Sequence, residues 1–170
     1  MALWRNGGFA EDIWTFVDDA APIPSAGAII VSFARWSAET EALSKRAVPV
    51  GVAIAAGKDT LAQLPEAAKR PLVALSFAKF GDGRAFSYAE LLRERHGFRG
   101  ELRAIGEVLL DEIPLMLRCG FTSFEVTDEP TLRALREGRL FTTPLHYQPS
   151  VAAASEAPAG TRPWLRRKAQ

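Results

Sequence analysis

The chain has 170 residues, enough for one domain with a substantial core, and its 48% hydrophobic and 24% charged residues are typical of a globular protein. A formal net charge of +1 provides no overall field to attract nucleic acid or an anionic membrane, so neither is an expected partner. One cysteine and two histidines exclude an internal disulfide framework, an iron–sulfur cluster held by one chain, and a zinc site of ordinary spacing.

Short apolar strands alternate with helical segments along most of the chain. Apolar runs predict strands at 13–17, 27–33, 48–55, 72–77, 101–105 and 122–126. Helical spacing predicts helices at 37–46, 60–69, 87–96, 107–118 and 130–139. The third of these helices is predicted to begin at Ser87, in a capping box with Glu90, and the fourth to be kinked or split by Pro114.

This alternation predicts a single α/β domain over residues 1–148 with a mainly parallel sheet, because nearly all of the strands are apolar along their whole length. Two architectures remain open, an open wound sheet and a partial (β/α) barrel. Glu101 and Arg103 share one face of a strand, and Glu125 lies on the next strand. Charged side chains within core strands favour the interior of a barrel over a sheet face covered by helices.

Residues 149–170 predict a flexible basic tail, because the segment is rich in Ala, Ser, Pro and Gly and ends in four basic residues around Trp164. A docking peptide anchored by Trp164 and steered to an acidic partner is the alternative. The chain shows no signal-peptide pattern and no apolar run long enough to span a bilayer, so we expect a cytoplasmic protein.

The candidate site lies in the loops that follow the predicted strands, since ligands of parallel α/β folds bind at the carboxyl ends of the strands. The loop after the third core strand combines Asp82, Gly83 and Arg84 with the predicted helix start at Ser87. An arginine beside a helix N-terminus is a reasonable cradle for sulfate, sulfite, phosphate or a carboxylate. We therefore predict ligand binding by a set of five residues and acid–base chemistry by a set of three carboxylates. The predicted ligand-binding residues are Gly83, Arg84, Ser87, Arg103 and Gly106, and the predicted catalytic residues are Asp82, Glu101 and Glu125.

Several of these residues also have a structural interpretation. The Asp82–Arg84 segment has the composition of a simple turn, and Glu101 with Arg103 could form a structural ion pair. Cys119 is interpreted as a buried structural cysteine, and His96 as a residue favoured by a helix C-terminus. No glycine-rich nucleotide-binding pattern follows a strand, so the sequence supports no particular cofactor, and the cofactor stays unknown.

The central forty residues resemble the signature of a bacterial family of uncharacterised proteins. The similarity is carried by the stretches 80–87 and 92–106, and it continues through Asp111, Arg118, Gly120 and Phe124. Members of that family are commonly labelled oxidoreductases involved in sulfite reduction and tend to be encoded beside sulfite reductase components. The resemblance implies a place near assimilatory sulfate and sulfite reduction. Glu112, where the family pattern leads us to expect glutamine, departs from it.

Three hypotheses follow. The first is an accessory protein of assimilatory sulfite reduction that binds a small oxyanion, a sulfite reductase component, or both. The second is a small enzyme, an oxidoreductase of sulfite reduction, that uses the carboxylates above as acid and base and the arginines to stabilise negative charge. The third is an interaction module that acts through the basic tail. The oligomeric state is open, a homo-oligomer included.

Overall fold

The protein is described by a computed structural model that covers residues 1–79, 81–143, 145–146, 156–159 and 162–168. Within these residues the chain forms eleven strands and six helices, numbered here in chain order. The strands of the main sheet are β1 Ala2–Arg5, β2 Gly8–Ala10, β3 Trp14–Phe16, β4 Ala28–Ser32, β5 Val50–Ala55, β6 Leu72–Phe77, β7 Glu101–Gly106 and β8 Ser123–Val126. The helices are α1 Phe33–Ala38, α2 Thr40–Ser44, α3 Thr60–Ala67, α4 Arg84–Glu94, α5 Ile113–Arg118 and α6 Glu129–Arg136.

The eight strands form one curled, half-barrel sheet in the order β2-β1-β8-β7-β6-β5-β4-β3. Strands β3 to β8 are parallel and follow one another without a reversal, whereas β1 pairs antiparallel with both β2 and β8. An unreversed order places right-handed crossover helices on one face of the sheet, as in (β/α) barrels. The α/β prediction and its barrel-like form are therefore confirmed.

Alternation along the strands separates two faces. In β6 and β7, Val73, Leu75, Leu102 and Ala104 belong to the large core shared with the helices. The intervening residues point into the curl of the sheet, where Leu72 lies in a small apolar cluster and Arg103 is fully buried. The register Leu72 with Glu101 keeps the charged side chains of β7 on this interior face.

The two edges of the curled sheet are joined by only three residues. Strand β2 ends at Ala10 on one edge, and β3 begins at Trp14 on the other. Four Cα–Cα steps of 3.8 Å span at most about 15 Å, so the edges lie close together. Residues 11–13, which we call the strap, therefore cross the open side of the half-barrel.

Several predicted boundaries were wrong for local physical reasons. The predicted helix over 37–46 is two short helices that begin at Phe33, where the Ser32 hydroxyl accepts from the Arg35 N–H. Residues 107–112 are not helical, and Pro114 lies in the first turn of α5, where a missing N–H costs nothing, rather than at a kink. The hairpin of β1 and β2 was not predicted.

A second sheet, of order β10-β11-β9, contains β9 Leu145–His146, β10 Glu156–Ala159 and β11 Arg162–Lys168. The predicted boundary at residue 148 lies outside the described residues, and the flexible basic tail stays a prediction. Among the helices of the described residues, none combines the length and the apolar character needed to cross a membrane.

Candidate functional site

The interior of the curled sheet contains a network of charged side chains centred on Arg103. The guanidinium has no solvent exposure and donates from Nε and Nη2 to Glu101 Oε1 at 3.0 and 2.8 Å. Ser123, which pairs with Arg103 across β7 and β8, donates its hydroxyl to the same Glu101 oxygen at 2.7 Å. The Arg5 guanidinium lies 3.8 Å from the other Glu101 oxygen. The predicted partnership of Glu101 with Arg103 is therefore real, and it has the form of an ion pair.

A second carboxylate reaches Arg103 from the strap. Asp12 accepts from Nη1 at 2.6 Å and from Nη2 at 2.9 Å, in the two-pronged geometry that arginine forms with any planar oxyanion. Burial alone would lower the pKa of Arg103, but the hydrogen bonds from Asp12 and Glu101 raise it above its ordinary value. Arg103 thus stays charged and is matched by two carboxylates in this structure.

Glu125 lies on the same face of β8 as Ser123 and two residues closer to the carboxyl end of the strand. Burial raises the pKa of its carboxyl above the ordinary value, and the nearby Asp12 charge adds to the rise, whereas the Arg103 charge opposes it. The side chain lines a cleft of about 540 Å³ at the carboxyl ends of β6, β7 and β8. The other lining residues are Ala78, Gly106, Glu107, Val108, Leu109, Thr127 and Asp128. A carboxyl group whose pKa is raised by burial and which lines a cleft is a candidate for proton transfer.

Gly106 allows the chain to turn into this cleft at the end of β7. Its φ of +88° lies in the left-handed region, and a Cβ atom there would overlap the carbonyl oxygen of Phe77. That carbonyl accepts the N–H of Glu107 at 2.8 Å, which fixes the first cleft residue after the strand. Gly106 therefore shapes the cleft through its backbone.

The loop after β6 forms a separate feature. Arg84, whose side chain is 54% exposed, donates from Nε and Nη2 to the two carboxylate oxygens of Asp82 at 2.8 and 2.7 Å. Its backbone N–H also points at Asp82 Oδ1, at 3.3 Å. The hydrogen bonds from Arg84 lower the pKa of Asp82 to about 2. At neutral pH Asp82 is therefore ionised and poorly suited to donate a proton.

Helix α4 begins at Arg84, three residues before the predicted start. Gly83 is its N-cap residue and supplies no side-chain hydrogen bond, so the capping-box prediction for Ser87 is wrong, and Ser87 lies inside the helix. The Asp82 carboxylate is the acid nearest in sequence to this helix N-terminus, where the backbone dipole favours a negative charge.

The predicted site residues thus fall into two groups. Glu101, Arg103, Glu125 and Gly106 lie on β7 and β8, in the interior and the cleft, whereas Asp82, Gly83, Arg84 and Ser87 lie in the loop after β6 and in α4. No contact between Arg84 and Arg103 is seen among the described residues. The two arginines predicted to hold one anion therefore define two locations.

The structure also shows the surroundings of two other residues that the sequence singled out, Cys119 and His96. Cys119 is buried, and burial together with the neighbouring Glu90 carboxylate raises the pKa of its thiol to about 12. The Cys119 Sγ lies 3.6 Å from Glu90 Oε1. His96 follows α4, and its backbone N–H donates to the Leu91 carbonyl at 3.1 Å. Among the described residues, no three His, Cys, Asp or Glu side chains are grouped in a way that could hold a metal ion.

Sequence reasoning missed Asp12, Arg5 and Ser123 as members of the interior network. Asp12 precedes a three-residue strand within a connection, so it belongs to no periodic pattern that would assign it a face. Ser123 could have been assigned to the interior, because the parallel register of β7 and β8 places it beside Arg103.

The fold and the site define a small half-barrel α/β protein with a polar interior and a cleft at the carboxyl ends of its strands. Comparison with family models places residues 51–158 in a family described as "Bacterial protein of unknown function (DUF934)". This range includes β6 to β8, all of β5 except its first residue, and every residue that lines the cleft. The chain belongs to this family. Comparisons with curated proteins and with solved structures found no match.

Proposed function

We propose that this protein is a cytoplasmic accessory protein of assimilatory sulfate and sulfite reduction that binds a small sulfur oxyanion, a sulfite reductase component, or both. The metabolic context comes from the resemblance of its central forty residues to proteins carrying that label. The observation that carries the binding proposal is the contact between Asp82 and Arg84 at the start of α4.

The Asp82 carboxylate makes the contacts with Arg84 that we propose for a bound oxyanion. It has the charge and the oxygen spacing of a small oxyanion, and it accepts both prongs of Arg84. Because Arg84 is more than half exposed, solvent screens the pair and a dissolved anion can compete with Asp82. Gly83 at the N-cap leaves room for an anion close to the first backbone N–H groups of α4.

The test is a titration of the wild-type protein with sulfite, sulfate and phosphate at constant ionic strength, followed by thermal shift and calorimetry. Arg84→Ala should abolish saturable binding at this loop. Asp82→Asn should tighten it several-fold, because the internal competitor loses its charge. Arg95→Ala, which removes an exposed arginine just beyond the other end of α4, is the matched control and should change nothing. Equal affinities in all four proteins would exclude a site at this loop.

The docking half of the proposal needs its own measurement. The purified protein is combined with the sulfite reductase components of its host, and complex formation is followed by analytical ultracentrifugation. A complex that survives Arg84→Ala would assign the protein a partner-binding role independent of the anion. No complex with any component would exclude direct docking on the reductase.

A second candidate is a small enzyme, an oxidoreductase involved in sulfite reduction. The observation that favours it is the half-buried Glu125 carboxyl in the cleft beside Gly106, with a pKa raised by burial. A proton donor in such a position suits reduction steps in which oxygen leaves as water. Sulfite-dependent oxidation of a reduced cofactor by the purified protein, lost in Glu125→Gln, would establish the enzyme. A rate equal in the wild type and in Glu125→Gln would exclude this role for Glu125.

A further inference from the structure

Of the three residues of the strap, one contacts the interior of the half-barrel through its side chain, and the other two are exposed. Ile13 is 71% exposed, and Glu11 is exposed as well, so neither packs into the core. Asp12 is the strap residue that turns inward, and its carboxylate accepts the Trp14 N–H at 3.0 Å in addition to the two prongs of Arg103. The hold of the strap on the interior therefore depends mainly on one carboxylate.

That carboxylate is the outermost member of the interior network. Arg103 is completely buried, whereas the Asp12 side chain keeps 29% of its surface in contact with solvent. Asp12 thus lies between the solvent and two N–H groups that would suit sulfite, sulfate or a carboxylate equally well. Withdrawal of the strap would uncover those groups.

The charge balance indicates what would replace Asp12. In the closed arrangement, the Arg5 and Arg103 guanidinium groups face the Asp12 and Glu101 carboxylates, and these four charges cancel. When Asp12 leaves, the remaining three groups carry a net positive charge, which a monoanion such as hydrogen sulfite would neutralise. Glu125 lies on the cleft side of this network, where burial raises the pKa of its carboxyl above the ordinary value.

We propose that Asp12 is a built-in competitor that closes an interior anion site on Arg103, and that a small oxyanion binds there when the strap swings outward. The exchange replaces one oxyanion by another on the same guanidinium, so the buried charge is never left unpaired. The strap gains conformational freedom as it opens, which offsets part of the cost of ordering the ligand. The inference rests on the proposed function for the class of ligand, but it assigns a different site from the Asp82–Arg84 loop.

The experiment uses the intact protein and its Arg84→Ala variant, which lacks the loop site. Sulfite and sulfate are titrated against chloride at constant ionic strength, while hydrogen exchange is measured in residues 11–17. We expect anion binding to persist in Arg84→Ala and to accelerate exchange in the strap. Asp12→Asn should bind the same anions about tenfold more tightly, because the competing state loses its charged partner.

A second variant distinguishes anion binding at Arg103 from a nonspecific effect of Asp12→Asn on the stability of the fold. Asp12→Asn combined with Arg103→Met replaces the guanidinium by an apolar side chain of similar length, a change that buried ion pairs often tolerate. When both changes are made in Arg84→Ala, which lacks the loop site, the anion affinity should fall to the chloride baseline. If Asp12→Asn gains no affinity in the Arg84→Ala background, or if adding Arg103→Met leaves that affinity unchanged, the interior site is refuted.

The outcomes also separate this inference from the proposed function. Binding that disappears in Arg84→Ala, with strap exchange unchanged by anion in the wild type, would overturn the interior site and leave the loop site standing. Binding of equal affinity and stoichiometry in the wild type and in Arg84→Ala, lost when Asp12→Asn and Arg103→Met are added to Arg84→Ala, would support the interior site and overturn the loop site. No saturable binding by any variant would overturn both.

Discussion

The Asp12 carboxylate and the Arg103 guanidinium, 91 positions apart in the chain, meet inside the curled sheet with N···O distances of 2.6 and 2.9 Å. The contact joins the segment between the two sheet edges to the middle of a central strand. It therefore couples the closure of the half-barrel to a buried positive charge, and Glu125 of the cleft lies within the electrostatic reach of both partners.

Asp12→Asn should destabilise the protein by about 2–4 kcal/mol, because removing one partner leaves a buried guanidinium less well compensated. The loss is expected at the lower part of the range for buried pairs, since Glu101 still contacts Arg103 and the asparagine oxygen can accept one hydrogen bond. Urea unfolding in chloride, without sulfur oxyanions, is the measurement. Glu11→Gln, an exposed carboxylate one residue earlier, is the control and should stay within about 0.5 kcal/mol of wild type. A loss for Asp12→Asn no larger than that of the control would contradict the assigned role of the contact.

Glu125→Gln should change the pH dependence of stability. Because burial raises the folded-state pKa of Glu125 above its ordinary value of 4.5, the folded protein binds more protons than the unfolded chain between these two values. The free energy of unfolding therefore falls as pH rises through this window, and this contribution is absent in the glutamine variant. The stability of Glu125→Gln relative to wild type should increase as pH is raised from 4 to 7. Urea unfolding at a series of pH values tests this, and a difference that is constant with pH would contradict it.

The parallel core of the fold follows from sequence because its determinants are local. The apolar run over 72–77 coincides with β6, and the run over 101–105 falls one residue short of β7. Fully apolar strands separated by helices favour a parallel sheet, because the crossover helices cover the faces of such a sheet. The hairpin of β1 and β2 also had a local signal that the prediction overlooked. Asn6-Gly7 is the preferred dipeptide for a tight hairpin turn, and both residues have positive φ, of 52° and 81°.

The candidate site was only half predictable. Glu101, Arg103 and Glu125 could be assigned to one interior because the two-residue repeat of a strand fixes the face of each side chain. Asp12 could not be assigned to the interior from the sequence. It lies in an irregular connection between two strands, and no repeat of a strand or helix fixes the direction of its side chain. The start of α4 was misplaced because Ser87 and Glu90 imitate a capping box, whereas the structure begins the helix after Gly83, without side-chain capping.

Cys119 should be unreactive in the folded protein. Its thiol is buried, and a pKa of about 12 leaves almost no thiolate at pH 8, the form that attacks disulfide reagents. Labelling by an aromatic disulfide should be at least about a hundredfold slower in native buffer than in 8 M urea. Glu90→Gln removes a neighbouring negative charge and should speed native labelling modestly. Rapid labelling of the native wild type would show that Cys119 is an activated thiol.

Gly106→Ala should be much more damaging than the same change at another left-handed glycine. Gly138 has a φ of +69° with no atom near the position of an added Cβ, so Gly138→Ala should cost only the conformational penalty, about 1 kcal/mol. At Gly106 the Cβ would also overlap the Phe77 carbonyl oxygen, which belongs to the end of a buried central strand and cannot rotate away. We expect a loss of about 3 kcal/mol or more, together with a rearranged cleft, because the Glu107 N–H bond to Phe77 would have to break or shift. Urea unfolding gives the stability, and amide chemical shifts of residues 106–109 report on the cleft. Equal losses for the two alanine variants would show that β6 and β7 can separate at this point without cost.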